Sequence, residues 1–560
     1  MKRISTAALL GLLAAAACGD GTLENTPSTT DDDGGGGSGG DDNAGPDEPG
    51  PGDAAGSNPN TRLVRLTHSQ YANTVRALFG VEETPESGFA PDALNGFGFS
   101  TSNDLRVDPR LGPQYRSAAE SLAAQVIDSS ALYQRIVSCD EGAANCAGEF
   151  IDSFGERAFR RPLSSDESAR FQALFDLGAS LGDTDDAFRE GVRLVVEAML
   201  QSPQFLYRTE VSSGAVTDGR AALDDWEIAS RLSYFLFDSM PDDELFESAR
   251  QGELHTPEQV ATQVARLLDD ERAAVKLASF HEQVWQVGRY AKIAPDAETY
   301  PDLPGDLVDR LRASSTRFFE SVIEDGGGLR EFLTAPYAYA DDELAELYDV
   351  DVSSDDLSRV EFEDGERKGF MMQVGFLASN AYSRKTDPIH RGLFILRDIL
   401  CRTIPDPPPG AQMTPPPETD EPIETTREEI SLLTGQLYCP TCHSQINEPG
   451  FSFEGFDAVG RVRERENGVP VDTTGSITLD GQDVEFSGAA ELVDALADSQ
   501  EAQSCYTSRW LEFAYGRTLT ERDAALRERL AAQPGSVRDI INSVTTSNEF
   551  LSHDVTEVTP

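Results

Sequence analysis

The sequence predicts a mainly α-helical protein of several modules, with a small β-hairpin region in its last third. Apolar residues recur at helical spacing along most of the chain, as Tyr71, Val75 and Leu78 do in the first folded segment. Short strand and turn patterns occur in residues 459–486, where Asn467-Gly468 is typical of a hairpin turn. A chain of 560 residues has room for roughly three or four domains.

The N-terminus has the pattern of an exported lipoprotein. Lys2 and Arg3 precede a short apolar run that ends at Cys18, and this run is too short to span a membrane. Small residues before such a cysteine are typical of a bacterial lipoprotein signal, in which the thiol carries the lipid. We therefore interpret residues 1–18 as a lipoprotein signal peptide and expect Cys18 to anchor the protein to the cell envelope, in the periplasm or on the cell surface. The alternative is an ordinary secretory signal with an incidental cysteine.

Charge and composition exclude one class of partner and define a tether. The chain has 98 acidic and 46 basic residues and a formal net charge of -52, which repels phosphate backbones. Nucleic acid is therefore not an expected partner. Residues 19–60 are rich in Asp, Gly, Ser and Pro and have little to bury, so we expect a disordered acidic tether.

The folded part begins with two helical modules. Thr67 and Gln70 form a capping-box pattern at the start of the first helix, and Gly80 ends that helix. In the second module, Ser164 with Glu167 caps another helix. The modules predicted along the whole chain are N-terminal helical (61–130), second helical (137–210), third helical (221–350), Cys-x-x-Cys-His (366–465) and C-terminal helical (470–552).

The third module reads as helical throughout. Asp224 and Thr256 start helices, and strand signals are absent from this part of the sequence. His281 lies among apolar residues, which favours a hydrogen-bonded core histidine over a haem ligand. In the fourth module, a helix from Thr426 to Tyr438 is predicted to end at the Cys-x-x-Cys-His motif. Periodic helices from about Ala489 and about Tyr506 complete the fold.

The motif itself is formed by Cys439, Cys442 and His443. In an exported protein this spacing is the attachment signature of haem c, because the two thiols add to the vinyl groups and the adjacent histidine supplies the proximal imidazole. The sequence therefore predicts covalent haem at Cys439 and Cys442, with His443 binding the iron. The nearest candidates for a second axial ligand are Met371, Met372, His390 and Met413. Both an electron carrier and a five-coordinate haem open to a small molecule remain compatible with this pattern.

Three other interpretations of the motif remain open. The two thiols could form a local disulfide. A thioredoxin-like dithiol requires cysteines after a strand at a helix start, whereas the predicted helical run ends at the motif. A structural zinc requires a fourth ligand and reduced thiols, which are uncommon outside the cytosol.

The remaining cysteines suggest a disulfide framework. Six cysteines follow Cys18. If Cys439 and Cys442 bind haem, the expected disulfides are Cys139–Cys146 and Cys401–Cys505, and no thiol is left over.

Several stretches resemble a known family. The chain resembles exported proteins of planctomycetes and myxobacteria that are built from domains of unknown function (DUF) 1587, 1595, 1592, 1588 and 1585 in that order, and the resemblance covers nearly everything from Arg62 to Leu551. Relatives that carry an additional cytochrome c module imply a redox setting. The sequence departs from the family pattern at Asn447-Glu448, where an Asp-Pro pair is usual. The matching stretches include Ala158-Phe159-Arg160-Arg161-Pro162-Leu163, Ser202-Pro203-Gln204-Phe205-Leu206-Tyr207-Arg208, Cys439-Pro440-Thr441-Cys442-His443 with Glu454, Phe456-Asp457 and Gly460-Arg461, and Tyr515-Gly516-Arg517.

Together these patterns predict a surface lipoprotein that binds haem c and acts in extracytoplasmic electron transfer or small-molecule oxidation, with a redox partner protein. If it is an enzyme, it is a haem-dependent oxidoreductase. Glu454, Asp457 and Arg461 are expected to be structural groups beside the motif. The alternative is a non-enzymatic, disulfide-stapled surface module that binds glycan or a partner protein.

Overall fold

Helices dominate the structure, a computed structural model, and the strands form small antiparallel sheets, so the mainly α-helical prediction is confirmed. The predicted lipidation site Cys18, the tether 19–60 and Met413 lie outside the described residues. The structure describes residues 62–82, 84–94, 98–100, 103–181, 187–211, 216–217, 219–362, 367–406, 422–436 and 439–555.

The first half of the chain starts its helices with the predicted capping residues. Thr67, Asp224 and Thr256 each accept a hydrogen bond from the backbone N–H three residues on, and the side chain at that position bonds back to the cap. The helices of this half are α1 (His68–Phe79), α2 (Leu111–Asp128), α3 (Ser130–Ile136), α4 (Cys146–Phe159), α5 (Ser165–Leu181), α6 (Ala187–Gln201), α7 (Pro203–Leu206), α8 (Asp225–Leu236), α9 (Asp243–Gln251), α10 (Pro257–Leu268) and α11 (Glu271–Val284).

The second half contains the helices that surround the motif. A π-helix, Ile395–Ile399, continues directly from α16. In the two halves together, short 3-10 helices cover Pro85–Gly88, Val287–Lys292, Phe370–Met372, Ser452–Gly455 and Glu521–Asp523. The α-helices are α12 (Leu307–Glu324), α13 (Leu329–Thr334), α14 (Asp342–Tyr348), α15 (Val374–Ser379), α16 (Pro388–Phe394), α17 (Thr426–Thr434), α18 (Pro440–Phe451), α19 (Ala489–Asp498), α20 (Gln500–Tyr515), α21 (Ala524–Ala531) and α22 (Val537–Thr545).

Some strands pair with a neighbour in the sequence as hairpins, and others pair with a strand far away in the sequence. β1 pairs with β2 (Arg62 opposite Glu210), and β4 lies between β3 and β11. The hairpins β7–β8 and β9–β10 lie in the region predicted to contain short strands. The strands are β1 (Arg62–Arg65), β2 (Tyr207–Glu210), β3 (Val216–Thr217), β4 (Arg220–Ala222), β5 (Tyr337–Ala340), β6 (Ser358–Glu361), β7 (Arg465–Glu466), β8 (Val469–Pro470), β9 (Thr474–Leu479), β10 (Gln482–Ser487) and β11 (Ser552–Asp554).

The prediction that the third module (221–350) contains no strands from Asp224 onward is wrong at one place. β5 pairs with β6, with Tyr337 opposite Glu361. All four residues of β5 are buried, so its Tyr-Ala-Tyr-Ala sequence lacks the alternation of apolar and polar residues that marks a half-exposed strand.

The buried apolar side chains of the described residues form two clusters. One combines α1 to α7 with Tyr234, Met240 and Phe246 from the segment that follows. The larger cluster contains α8 and most of the later elements, including Ile446 of α18, the motif helix, and Phe453 just after it. The motif helix is therefore attached to the larger core.

Two disulfides join the pairs that the sequence predicted. Cys139 bonds to Cys146, and Cys401 bonds to Cys505 across a separation of 104 residues. Among the described residues, no helix combines the length and apolar character needed to cross a membrane.

Candidate functional site

The Cys-x-x-Cys-His motif opens a helix, so the prediction that it ends one is wrong. Helix α17 ends at Thr434, Gly435 follows, and α18 begins at Pro440 with Cys439 at its N-cap. Proline suits this position because its fixed φ is already helical and the backbone N–H that it lacks would have no partner in the first turn. The backbone N–H of His443 donates to the Cys439 carbonyl at 3.0 Å, which closes the first turn.

The two motif thiols are not bonded to each other. Cys439 and Cys442 are free and half-buried, whereas the other four cysteines in the described part of the chain are in disulfides. Side chains three residues apart on a helix lie on the same face, roughly 5–6 Å apart at Cβ. Both thiols are therefore available on one side of α18, next to His443.

His443 is oriented by a polar contact within its own helix. Its Nδ1 lies 3.0 Å from Oδ1 of Asn447, one turn further along α18. Nδ2 of Asn447 donates to the hydroxyl oxygen of Thr434 at 2.8 Å, and this hydroxyl donates to the Ile430 carbonyl at 2.7 Å. Among the described residues, Nε2 of His443 has no hydrogen-bond partner. The hydrogen bond between the buried side chains of Asn447 and Thr434 thus connects α18 to α17.

Helix α16 packs against α18, the motif helix, so closely that the two backbones are in contact. A Cβ atom on Gly392 would lie 1.9 Å from the Ile446 carbonyl oxygen, and one on Gly450 would lie 1.9 Å from the Pro388 oxygen. Residue 392 therefore faces 446 while residue 388 faces 450, so the two helices run antiparallel. Glycine is required at both positions because any side chain would separate the helices.

Five family models match successive segments of the chain, and each describes a protein of unknown function. They are DUF1587 (residues 65–128), DUF1595 (146–210), DUF1592 (223–350), DUF1588 (367–466) and DUF1585 (482–550). The chain belongs to this five-module DUF family. Comparisons with curated proteins and with solved structures returned no match.

The DUF1588 segment contains the motif, α16, α17 and α18. Apolar side chains of α17 remain accessible there, since Ile430 and Leu433 are half-buried and Leu432 is 37% exposed. Ile423, just before α17, is 38% exposed. Apolar surface thus remains accessible on the helix that precedes the thiols.

A buried ion network fixes the base of the DUF1588 segment. Arg391 of α16 is fully buried, donates to the carbonyls of Phe453 and Leu377 at 3.0 and 3.1 Å, and lies 3.8 Å from Oε1 of Glu454. Burial lowers the pKa of Arg391 to about 10. Burial also raises the pKa of Glu454, and the positive charges of Arg391 and Arg463 oppose that rise. Glu454 accepts hydrogen bonds from Thr386 and Arg463, each at 2.8 Å.

Asp457 holds a turn in the same DUF1588 segment. Its Oδ1 accepts from the backbone N–H groups of Val459 and Arg461 at 2.9 and 2.8 Å. These contacts and those of Glu454 are the structural roles expected from the sequence.

The candidates for a second axial ligand lie in different environments. Met371 and Met372 are buried in a 3-10 helix of the larger core. The side chain of His390 is 49% exposed, and its Nδ1 lies 2.5 Å from Oδ2 of Asp387. His281 lies in the core, as expected: its Nδ1 lies 2.7 Å from the Leu277 carbonyl, and burial lowers its pKa to about 3.

The partners of His443 were not predicted from the sequence. In the sequence, Asn447 stands out only as a departure from the family pattern. Its i+4 spacing from His443 is nevertheless a usable signal for a side-chain contact on a helix. Thr434 lies 13 residues before Asn447, and only the fold brings the two together. Among the described residues, no group of three or more His, Cys, Asp or Glu side chains could hold a metal ion.

Proposed function

We propose that this protein is an exported, lipid-anchored carrier of one haem c, bound through Cys439 and Cys442 with His443 as the proximal iron ligand. The observation that carries the proposal is the state of the cysteines: the two motif thiols are free on the first turn of α18, while the other four described cysteines are paired. In the alternative, a disulfide-stabilised surface module, Cys439 and Cys442 would instead form a third disulfide.

The residues around the motif fit such a group. Two thiols on one helix face can each add across a vinyl group, so that an S–C bond forms and the thiol hydrogen passes to the neighbouring carbon. His443 follows Cys442 directly and keeps Nε2 free of hydrogen bonds from the described residues. Ile430, Leu432 and Leu433 on the preceding helix are accessible apolar side chains that would be available to a porphyrin.

A bound haem would supply one-electron redox chemistry outside the cytoplasm. Cys439 and Cys442 would hold the group, and Asn447 would orient the His443 imidazole that binds its iron. Met371 and Met372, two of the candidates for a second iron ligand, are buried in the larger core. Electron transfer and small-molecule oxidation are both compatible with this proposal, and the net charge of -52 favours a redox partner with a basic contact surface.

Expression of the full chain with haem-maturation machinery tests the proposal. We expect a coloured protein whose haem absorption survives denaturing extraction. Cys439→Ser/Cys442→Ser should abolish this retained absorption. The matched double variant Cys139→Ser/Cys146→Ser removes a remote cysteine pair and should keep it. A colourless wild-type product would overturn the proposal and favour a surface module that binds glycan or a partner protein.

The lipid anchor is tested separately. Cys18→Ser should move the protein from the membrane fraction to the soluble exported fraction, because the thiol that carries the lipid is gone. Unchanged membrane association of this variant would contradict lipidation at Cys18.

A further inference from the structure

We infer that Thr434 and Asn447 are positioning residues that fix neutral His443 as the Nδ1–H tautomer and so present the Nε2 lone pair. We infer also that the neutral amide of Asn447 keeps the reduction potential of a bound haem higher than a carboxylate at this position would. The inference about the tautomer depends only on hydrogen bonds within the protein. The inference about the reduction potential of a bound haem rests on the proposed function.

The first step concerns the single hydrogen of the Thr434 hydroxyl. This oxygen lies 2.7 Å from the Ile430 carbonyl oxygen, which can only accept. The hydroxyl hydrogen is therefore committed to Ile430. Towards Asn447, the Thr434 oxygen is left with lone pairs and can only accept.

The second step concerns the orientation of the Asn447 amide. The Asn447 atom that lies 2.8 Å from Thr434 must donate, so it is Nδ2. Oδ1 then faces His443, with 3.0 Å to Nδ1. Thr434 and Asn447 are each only 8% exposed, so water competes little for these bonds.

The third step concerns the imidazole. Since Oδ1 of Asn447 accepts, Nδ1 of His443 must donate, and a neutral imidazole has only one N–H. The lone pair is thereby assigned to Nε2, the nitrogen left without a hydrogen bond from the described residues. A fixed partner on the other nitrogen is how proteins set the tautomer and basicity of a metal-binding histidine.

The charge of that partner sets the electronic effect. An amide oxygen polarises the Nδ1–H bond less than a carboxylate would, because charged acceptors form stronger hydrogen bonds. A carboxylate would increase electron donation from the imidazole and favour ferric iron. Asn447→Asp should therefore lower the reduction potential.

Selective 15N-histidine labelling of the full chain without haem tests the tautomer. The His443 signals, assigned with His443→Gln, should show a protonated Nδ1 and an unprotonated Nε2 at neutral pH. Thr434→Val should produce an averaged pattern because Asn447 loses its anchor, and Thr434→Ser should retain the wild-type pattern. His281 is an internal control, since its hydrogen-bond partners, Leu277 and Tyr506, are not changed by these substitutions. An Nε2–H pattern or an averaged pattern in the wild type would overturn the inference.

Redox titration of the haem-loaded chain tests the potential. Asn447→Asp should shift the midpoint to a more negative value, whereas Asn548→Asp, which adds the same charge at an exposed position of the DUF1585 segment, should leave it in place. Equal shifts in both variants, or a more positive midpoint for Asn447→Asp, would contradict the inference. A colourless wild type would instead refute the proposed function while the labelling experiment still reports the tautomer.

Discussion

Gly392 of α16 and Ile446 of α18 meet without space for a side chain, since a Cβ on Gly392 would lie 1.9 Å from the Ile446 carbonyl oxygen. This contact sets the position of the motif helix against its support. Gly392→Ala should push the helices apart and lower the free energy of unfolding by at least ~2 kcal/mol, measured by denaturant titration.

Gly148→Ala is the matched control for that substitution. Gly148 lies in α4, and nothing lies within 4 Å of its added Cβ. This variant should keep or slightly raise stability, because alanine favours helix over glycine by up to ~1 kcal/mol. Equal losses in the two variants would contradict the tight contact between α16 and α18.

Arg391→Met should be strongly destabilising. The substitution leaves Glu454, 2% exposed, without one of its two cationic neighbours, and it removes the donors to the carbonyls of Phe453 and Leu377. Loss of one partner of a buried pair costs about 3–5 kcal/mol. Chemical denaturation should show this loss, whereas Arg384→Met, in an exposed ion pair with Asp296, should hardly change the midpoint. A mild effect of Arg391→Met would show that the network contributes little.

Asp398→Asn should stabilise the protein in a pH-dependent way. Burial raises the pKa of Asp398 to about 6, opposed by a hydrogen bond from Gln286. The folded protein therefore retains this proton where the unfolded chain has lost it, and wild-type stability falls as pH rises from about 4 to about 6. Removing the charge should add up to about 3 kcal/mol at pH 7.5 and little below pH 4.

Denaturation curves at the two pH values check the prediction for Asp398, with the exposed Asp302→Asn as control. The Asn substitution retains an oxygen for Gln286. A gain of equal size at both pH values would show that relief of the buried charge is not its cause.

The two disulfides should differ in their contribution to stability. Cys401–Cys505 closes a separation of 104 residues, whereas Cys139–Cys146 closes one of 7. From the loop-closure entropy of the unfolded chain, we expect the double Ser variants to lose about 4–5 and about 2 kcal/mol, respectively. Thermal and chemical denaturation under non-reducing conditions measure both losses, and the reverse order would contradict the entropic explanation.

Local signals in the sequence predicted more of the fold than of the site. The capping boxes at Thr67 and Asp224 depend on residues three apart, and Thr256 is followed directly by Pro257, so the sequence alone identifies those helix starts. The predicted helix from Thr426 to Tyr438 runs past Gly435, whereas α17 ends at Thr434, so the start of α18 at Pro440 is not predicted.

Contacts that depend on packing could not be predicted. Thr434 and Asn447 meet only because α17 packs on α18, and a glycine in a helix such as Gly392 does not indicate which backbone approaches it. The buried β5 gave no strand alternation because both of its faces are covered. The sequence thus predicted the motif thiols and His443 but not the groups that hold them.

The most direct test of the central claim is the mass and absorbance of one peptide. Trypsin cleaves after Arg427 and Arg461, and residues 428–461 between these sites contain Cys439, Cys442 and His443 without another Lys or Arg before Arg461. From chain matured with haem, this peptide should have the mass of its sequence plus one haem and absorb visible light. A colourless peptide with two free thiols, or one lighter by the hydrogens lost to a Cys439–Cys442 disulfide, would contradict the proposal.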